Sequence, residues 1–359
     1  MRSRVQENIP LAPLTTLGIG GPARYLVEVS DEGDIGAAVG FARSRSLPVM
    51  VLGAGSNLLV SDDGFAGLAI RVVLDGVRFD GARLRAGAGV DWDGLVADCV
   101  RRRLYGVECL SGIPGLVGGT PIQNVGAYGQ EVSEVISSVR VYDLADDTLR
   151  ELPAPECGFG YRISRFNTGD RGRYVVLGVE YLLKDAGEPC LSYPDLVRHF
   201  GKRSAPTLGE VRHAVLMIRR GKAMLLVDGD PDCRSAGSFF RNPVLTTTEF
   251  IELEERRSLA GIEAPVPAYR TGDSVKVPAA WLVEQAGFPK GTTDGPVGLS
   301  TRHALALVNR GKAEATDVLR FAGAIRHGVE DRFGVRLRTE PAFVGFSDEV
   351  VASFGAVVA

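Results

Sequence analysis

Three short stretches carry the side chains best suited to chemistry. Ser235-Ala236-Gly237-Ser238-Phe239-Phe240-Arg241-Asn242-Pro243 sets the Ser238 hydroxyl beside a flexible glycine, two aromatics, a base and an amide. Gly160-Tyr161-Arg162-Ile163-Ser164 offers a guanidinium, and Thr339-Glu340-Pro341-Ala342-Phe343 offers a carboxyl. A nucleophilic serine needs a base, yet the chain has only four histidines, none close to Ser238 in sequence. The stretch also lacks a GxSxG elbow, which disfavours a serine hydrolase. Each residue alone has a plainer reading: a turn-capping serine, a surface arginine, and an edge-strand carboxylate paired to Arg338.

What stands in front of these groups is suggested by glycine, which clusters at 18 to 21, 53 to 55 and 112 to 129. Gly53-Ala54-Gly55-Ser56-Asn57-Leu58 follows an apolar strand and begins like a dinucleotide fingerprint. Leu58 replaces the third glycine, however, and Leu59-Val60-Ser61-Asp62-Asp63-Gly64 reads as strand and turn rather than helix. A helix N-terminus is what the dinucleotide turn uses to hold pyrophosphate, so that reading fails. Successive small residues can still cradle phosphate on backbone N–H groups, with Ser56 and Asn57 as side-chain donors. The second loop runs Gly112-Ile113-Pro114-Gly115-Leu116-Val117-Gly118-Gly119-Thr120-Pro121-Ile122-Gln123-Asn124-Val125-Gly126-Ala127-Tyr128-Gly129. It suits a fixed surface for a flat hydrogen-bonding ring. Two such loops imply a long ligand with two phosphates.

The elements between them alternate. Helix is predicted over Asp34 to Arg45, with Ile35, Val39 and Ala42 on one face, and strand over Pro48 to Leu52. A strand into Gly89 precedes a helix capped by Asp91, whose apolar positions Trp92, Leu95, Val96, Cys99 and Val100 share a face. Strands dominate 137 to 183, and 209 to 220 reads as helix. Later come a helix from Ala279 to Ala286, a strand from His303 to Val308, and an amphipathic helix from Asp317 to Phe333 stopped by Gly334. A strand from Val335 to Val344 carries Glu340, and the tail after Gly345 reads as loosely held.

At 359 residues the chain is long for one core, and a prior of ~150 residues per domain suggests two or three. A net charge of −3 gives no bulk basic field for nucleic acid or anionic lipid. Cys99, Cys109, Cys157, Cys190 and Cys233 show no metal-ligand spacing, so no metal is expected, and they read as buried free thiols of a cytoplasmic protein. No run approaches the ~18 apolar residues of a membrane span, and the first residues lack a signal-peptide core.

The motifs VLGAGSNLLV, SGIPGLVGGTPIQNVGAYGQE, FGYRIS, SAGSFFRNP and the late Glu340 segment, in this order, resemble the UDP-N-acetylenolpyruvoylglucosamine reductase family from about Thr15 to Phe343. The resemblance implies an α+β chain with an FAD-binding fold of the vanillyl-alcohol-oxidase (PCMH) type in two subdomains, 1-72 and 73-222. A C-terminal α+β substrate-binding domain with a returning helix and strand would span 223-345, and 346-359 would be a tail. It implies non-covalent FAD, NADPH as co-substrate, and reduction of UDP-N-acetylglucosamine enolpyruvate to UDP-N-acetylmuramate in ping-pong fashion by a cytoplasmic monomer.

Site residues carry over position by position. Hydride addition to an enolpyruvyl ether leaves negative charge beside the carboxylate, which calls for fixed donors there and a proton source at carbon. The resemblance makes Arg162 the carboxylate fork, Ser238 the proton donor, which then needs no histidine, and Glu340 the catalytic acid. Tyr193, Lys222, Asn242, Tyr269, Lys276 and Gln285 match substrate contacts, Tyr193 lying on the loop that closes over bound substrate in one subclass. FAD falls to Gly53, Ala54, Gly55, Ser56, Asn57 and Leu58, and to Pro114, Gly115, Gly118, Gly119, Thr120, Gln123, Asn124, Gly126, Ala127 and Tyr128. Many members carry Pro-Glu-x-Arg where this chain has Thr339-Glu340-Pro341-Ala342; Arg336 and Arg338 are the bases nearest to compensate. The alternatives are an FAD oxidase of the same superfamily acting on an alcohol or lactone, whose flavin-tethering histidine is missing from the glycine loops here, and a non-catalytic flavin-binding protein.

Overall fold

Apolar patterning at two periods sorts the chain into two units, each with its own core. The computed structural model describes residues 4–201 and 205–358; the outermost residues of the first and last predicted segments lie outside the described residues. The first unit comprises Met1–Ile9, Ala23–Ala54 and Ala66–Leu225, and the second Pro10–Pro22, Gly55–Phe65 and Leu226–Ala359.

In the first unit, one sheet runs in the order Gln6–Pro10, Pro22–Val29, Phe65–Val72, Val49–Leu52. The last pair is parallel, Val49 facing Leu68. A second, antiparallel sheet has the order Thr148–Pro153, Ile136–Asp143, Tyr174–Leu182, Arg83–Gly87, Val77–Asp80. Tyr174–Leu182 lies in its middle and is buried along almost its whole length, as a strand covered on both faces must be. Helix Ile35–Arg43 buries Ile35, Ala38, Val39 and Ala42. Helix Trp92–Arg101 starts where the Asp91 carboxylate accepts from Gly94 N at 2.7 Å. Helix Leu208–Gly221 opens on a capping box between Thr207 and Glu210.

In the second unit, Ser235–Ser238, Ala306–Asn309, Val297–Leu299 and Thr293–Asp294 form one sheet in that order. Val244–Thr246, Ser274–Lys276 and Tyr269–Thr271 form another, and Val357–Val358, Ala342–Val344 and Leu58–Val60 a parallel third. Helices Thr247–Leu259, Ala279–Gln285 and Ala315–Phe333 bury Leu253, Leu282, Val318, Ile325 and Phe333 in the core.

Five expectations change. The predicted strand from His303 forms only at Ala306–Asn309, because Leu305 N donates to His303 Nδ1 at 3.0 Å and holds a turn. The long helix begins at Ala315 rather than Asp317: Asp62 accepts from Ala315 N and Thr316 N, a cap distant in sequence. Residues 335 to 341 alternate buried and exposed as expected up to Glu340, but the strand proper is Ala342–Val344. Pro341 has no N–H to extend the ladder. The tail is held, with helix Asp348–Phe354 placing Phe354 5.8 Å from the Phe343 ring and Val357–Val358 pairing with Ala342–Val344. Cys190 is half-buried, unlike the other four thiols.

One buried charge braces the antiparallel sheet. Asp143, fully buried, accepts from Arg173 Nη2 at 2.8 Å and from Ala145 N at 3.0 Å. The hydrogen bonds from Arg173 hold its carboxyl down at about 2 against the opposing effect of burial. A folded pKa below the unfolded ~3.9 means stabilisation present above that value and lost as pH falls toward 2. Asp143→Asn should therefore lower the urea midpoint at neutral pH, and the gap to wild type should close by pH 2 to 3. An equal gap at both pH values would contradict this.

Candidate active site

Arg162 is placed by a tight turn. Gly160 N donates to Ile163 O at 2.9 Å and Ile163 N returns to Gly160 O at 3.0 Å, which leaves Arg162 at φ +57°. A side chain in that left-handed conformation costs about 1–2 kcal/mol, so other contacts must hold it. Arg162 Nη1 donates to Asn124 O at 3.3 Å and Nη2 to Gly126 O at 2.6 Å. Asn167 Nδ2 donates to Arg162 O at 3.1 Å, and Ser164 Oγ donates to Ile122 O at 2.6 Å.

Asn124 joins that turn to the second glycine loop. It is almost wholly buried; its amide donates to Glu131 Oε2 at 2.7 Å and Gly160 O at 3.0 Å and accepts from Ser133 N at 3.1 Å. The side chain assigned to cofactor contact is thus engaged with protein. Thr120 is similar, its hydroxyl lying 2.8 Å from Val117 O and 2.9 Å from the buried Tyr181 hydroxyl. The loop's own amides close onto its surroundings: Gly118 N reaches Ala88 O, Gly119 N reaches Leu116 O, and Val125 N reaches Thr120 O. Gly118 allows that approach, since a Cβ there would stand 2.7 Å from Ala88 Cβ. The outcome is a rigid loop surface.

Tyr128, Tyr193 and Lys222 form a second cluster in this unit. The two tyrosine rings meet edge to face at 5.2 Å, and Lys222 Nζ lies 5.8 Å from the Tyr128 centroid. Lys222 also pairs with Asp195 at 2.5 Å. Burial pushes the Tyr128 hydroxyl up to about 12. Beneath the loop, Arg219 is buried and donates to Gly112 O at 3.1 Å and Met224 O at 2.7 Å. Composition gave no sign of Arg219, Glu131 or Asn167, which act through loop carbonyls and side-chain amides distant in sequence.

In the second unit, Ser238 and Glu340 lie on adjacent segments. Ser238 faces Ala306 across a strand pair whose register shifts between Ser235 and Ser238, with Gly237 at φ +74°. Phe239 and Phe240, both buried, anchor the next two residues. Phe240 then bridges to Thr339, and Glu340 N donates to Phe239 O at 2.9 Å. Asn57 Nδ2 donates to Glu340 O at 3.3 Å while Asn57 O accepts from Ala342 N at 3.0 Å. Gly55 has no room for a side chain, because a Cβ would stand 2.0 Å from Leu14 O. Ser56 and Leu58 are half-buried between Gly55 and the Leu58–Val60 strand.

The substrate residues of this unit partly converge. Lys276 pairs in register with both Val244 and Tyr269, and Tyr269 is half-exposed. Asn242, two residues before Val244, accepts from Ala279 N at 2.9 Å, which turns its amide oxygen to the helix start. Gln285 ends that helix. Arg336 faces Glu330 at 3.8 Å, and Arg338 lies beside Gly355.

The fit to a flavin can be tested on the loops. Among the described residues, nothing lies within 4 Å of where a Cβ would stand on Gly53 or Gly119, and both glycines are exposed. Backbone bare to open space at both loops is what close approach of a cofactor requires.

Residues 23–153 match the "FAD binding domain" family, and residues 230–344 match "UDP-N-acetylenolpyruvoylglucosamine reductase, C-terminal domain". The matched FAD-binding domain thus defines a flavoprotein. A UDP-N-acetylenolpyruvoylglucosamine reductase of Thermobifida fusca (strain YX) is 47% identical over 96% of this chain and 99% of its own. The Streptomyces avermitilis protein of the same description is 45% identical over 95% of this chain and 96% of its own. The crystal structure of the Thermus caldophilus reductase is similar at 27% identity and a TM-score of 0.66, covering 95% of this chain and 99% of that one. The chain belongs to the UDP-N-acetylenolpyruvoylglucosamine reductase family. It is an FAD-dependent oxidoreductase of peptidoglycan precursor synthesis.

Gly126 supplies a test of the arginine's placement. A Cβ there would stand 2.8 Å from Glu131 Cγ, 2.9 Å from Gln130 O and 3.0 Å from Arg162 Nη1. Gly126→Ala should dislodge the guanidinium and lower turnover of the enolpyruvyl substrate by about a hundredfold, the scale of a small misplacement. Flavin content, measured alongside, separates loss of the arginine's placement from loss of the cofactor. Full turnover in this variant would show that the guanidinium need not sit there.

Proposed function

We propose that the chain reduces UDP-N-acetylglucosamine enolpyruvate to UDP-N-acetylmuramate, with Arg162, Ser238 and Glu340 acting on the enolpyruvyl group. FAD, which the two glycine loops would hold, would supply the hydride for the terminal carbon after reduction by NADPH. The arginine holds the substrate carboxylate with two parallel hydrogen bonds and so steadies charge that develops beside it. Ser238 delivers a proton to the adjacent carbon; a half-buried hydroxyl fixed between a bulged strand and two buried phenylalanines is oriented well enough to do so without a base. Glu340 follows as the carboxyl nearest along the chain pairing, one register step from Ser238.

The observation that carries this reading is the joining of the Ser238 and Glu340 segments, about a hundred positions apart in the chain, by the Phe239–Glu340 hydrogen bond. Tyr193 and Lys222 beside Tyr128, and Tyr269 and Lys276 on one small sheet, supply contacts for the UDP-sugar. Gln285 and Asn242 are assigned to the same ligand. NADPH and the sugar nucleotide use one pocket in turn. The free thiols support action in a reducing compartment, the cytoplasm, and the chain is assigned to act there as a monomer.

The decisive measurement is absorbance of the purified holoenzyme: NADPH should bleach the flavin band and the enolpyruvyl UDP-sugar should restore it. Ser238→Ala should leave the bleaching intact and slow the restoration by roughly 10²–10⁴-fold, the range of general acid catalysis. Equal loss in both halves would make Ser238 structural. Arg162→Lys should not rescue Arg162→Ala, because an ammonium cannot form two parallel bonds. Recovery of kcat with lysine would remove the fork from the mechanism.

A further inference from the structure

Cys109 and Cys190, the first fully buried and the second half-buried, meet beside the segment that leads to Tyr193. Cys109 Sγ donates to Cys190 O at 3.2 Å. Cys190 Sγ lies 3.4 Å from Ser192 Oγ and 3.8 Å from Gly129 O. Both backbones are fixed by one buried pair of side chains. Glu108 Oε1 accepts from Cys190 N at 2.9 Å and from Gln130 Nε2 at 2.8 Å, while Gln130 Oε1 accepts from Cys109 N at 2.7 Å. Glu108 Oε2 takes Gly106 N at 2.8 Å. A carboxylate and an amide that tie two cysteine backbones together hold the thiols in one relative position.

We propose that Cys109 and Cys190 form a redox modification site, which hydrogen peroxide converts to a disulfide that arrests the Tyr193 segment. The Cys190 thiolate attacks the peroxide oxygen and breaks the O–O bond, giving a sulfenic acid and releasing water once the departing oxygen is protonated. Cys109 sulfur then attacks the Cys190 sulfur; the S–OH bond breaks and a second water leaves with the Cys109 proton. Two thiols are oxidised, one peroxide is reduced, and no other reactant is needed. The order of attack follows exposure, since Cys190 is the more accessible sulfur. It agrees with the coupling of the pair: their mutual hydrogen bond lowers Cys190 and raises Cys109, although nearby Glu108 works against the Cys190 thiolate.

The link to turnover is positional. Cys190 lies three residues before Tyr193, which packs on Tyr128 and directly precedes helix Pro194–Phe200. A covalent tie to the Glu108–Leu110 turn removes the freedom of that segment to open and close. This consequence rests on the substrate role given to Tyr193 above; the disulfide itself does not.

The test treats holoenzyme with hydrogen peroxide, blocks remaining thiols with N-ethylmaleimide, maps peptides, and assays turnover before and after dithiothreitol. The proposal expects a Cys109–Cys190 linked peptide, lighter by two hydrogens than the sum of its parts. It also expects a fall in turnover of about tenfold, within the usual range for coupling of a switch to a site, reversed by dithiothreitol. Cys190→Ser should show neither change. Overturning results are both thiols still alkylated, oxidation of Cys190 without the link, or the link at full turnover. NADPH bleaching of untreated protein is measured alongside. Its failure would count against the catalytic reading, while the peptide map would still decide the thiol pair.

Discussion

The buried side chain of Asn124 is the constraint on which the second glycine loop and the Arg162 turn depend. A loop made largely of glycine and proline has no apolar surface with which to anchor itself, and its buried peptide groups must all find partners. One amide bound at Glu131, Ser133 and Gly160 closes that account and carries the Arg162 turn on the same loop. Within a low-dielectric interior such bonds strengthen one another, and a partly satisfied set would cost more than an apolar one. Asn124 itself sits at φ +47°, and Tyr128 at φ +49°. Strain of this kind persists only where surroundings over-determine the backbone, and it clusters at functional sites.

The second unit solves the corresponding problem with chain pairing. Ser238 follows a positive-φ glycine at the end of a strand, Glu340 precedes a proline, and neither position would stay fixed by local preference. The Phe240–Thr339 bridge, flanked by Glu340 N to Phe239 O and Arg241 N to Arg338 O, makes each segment the template of the other. Phe239 and Phe240 extend that pairing into the core, where their rings meet at 5.3 Å. The tail reinforces it from the far side, since Val357–Val358 lies against Ala342–Val344.

What the sequence disclosed divides along the same line. Elements whose signal is local were legible: the Asp91 cap, the helix over 209 to 220, the helix stop at Gly334, and the two glycine loops as loops. Motif order disclosed the family. Illegible were the features set by distant partners, such as the start of the long helix, which Asp62 caps from 253 positions away. The tail lacked the strong periodicity of an independent element, because its short helix and strand are held by partners distant in sequence, among them Phe343 and the strand it joins. Arg219 looked like any helix-end base; its burial follows from the turn at Gly112, which no spacing rule reveals.

Glycine shows why composition alone could not separate cofactor contacts from scaffolding. Gly53 and Gly119 face open space, where the missing side chain exposes backbone to a ligand. Gly55, Gly118 and Gly126 instead abut Leu14, Ala88 and Glu131, so that a methyl group would displace protein atoms. The second group governs function at one remove: Gly126 leaves room for the Arg162 guanidinium above its own carbonyl. A position that admits no side chain can therefore be as decisive for catalysis as the charged group it accommodates, and only the coordinates distinguish the two uses of the same residue.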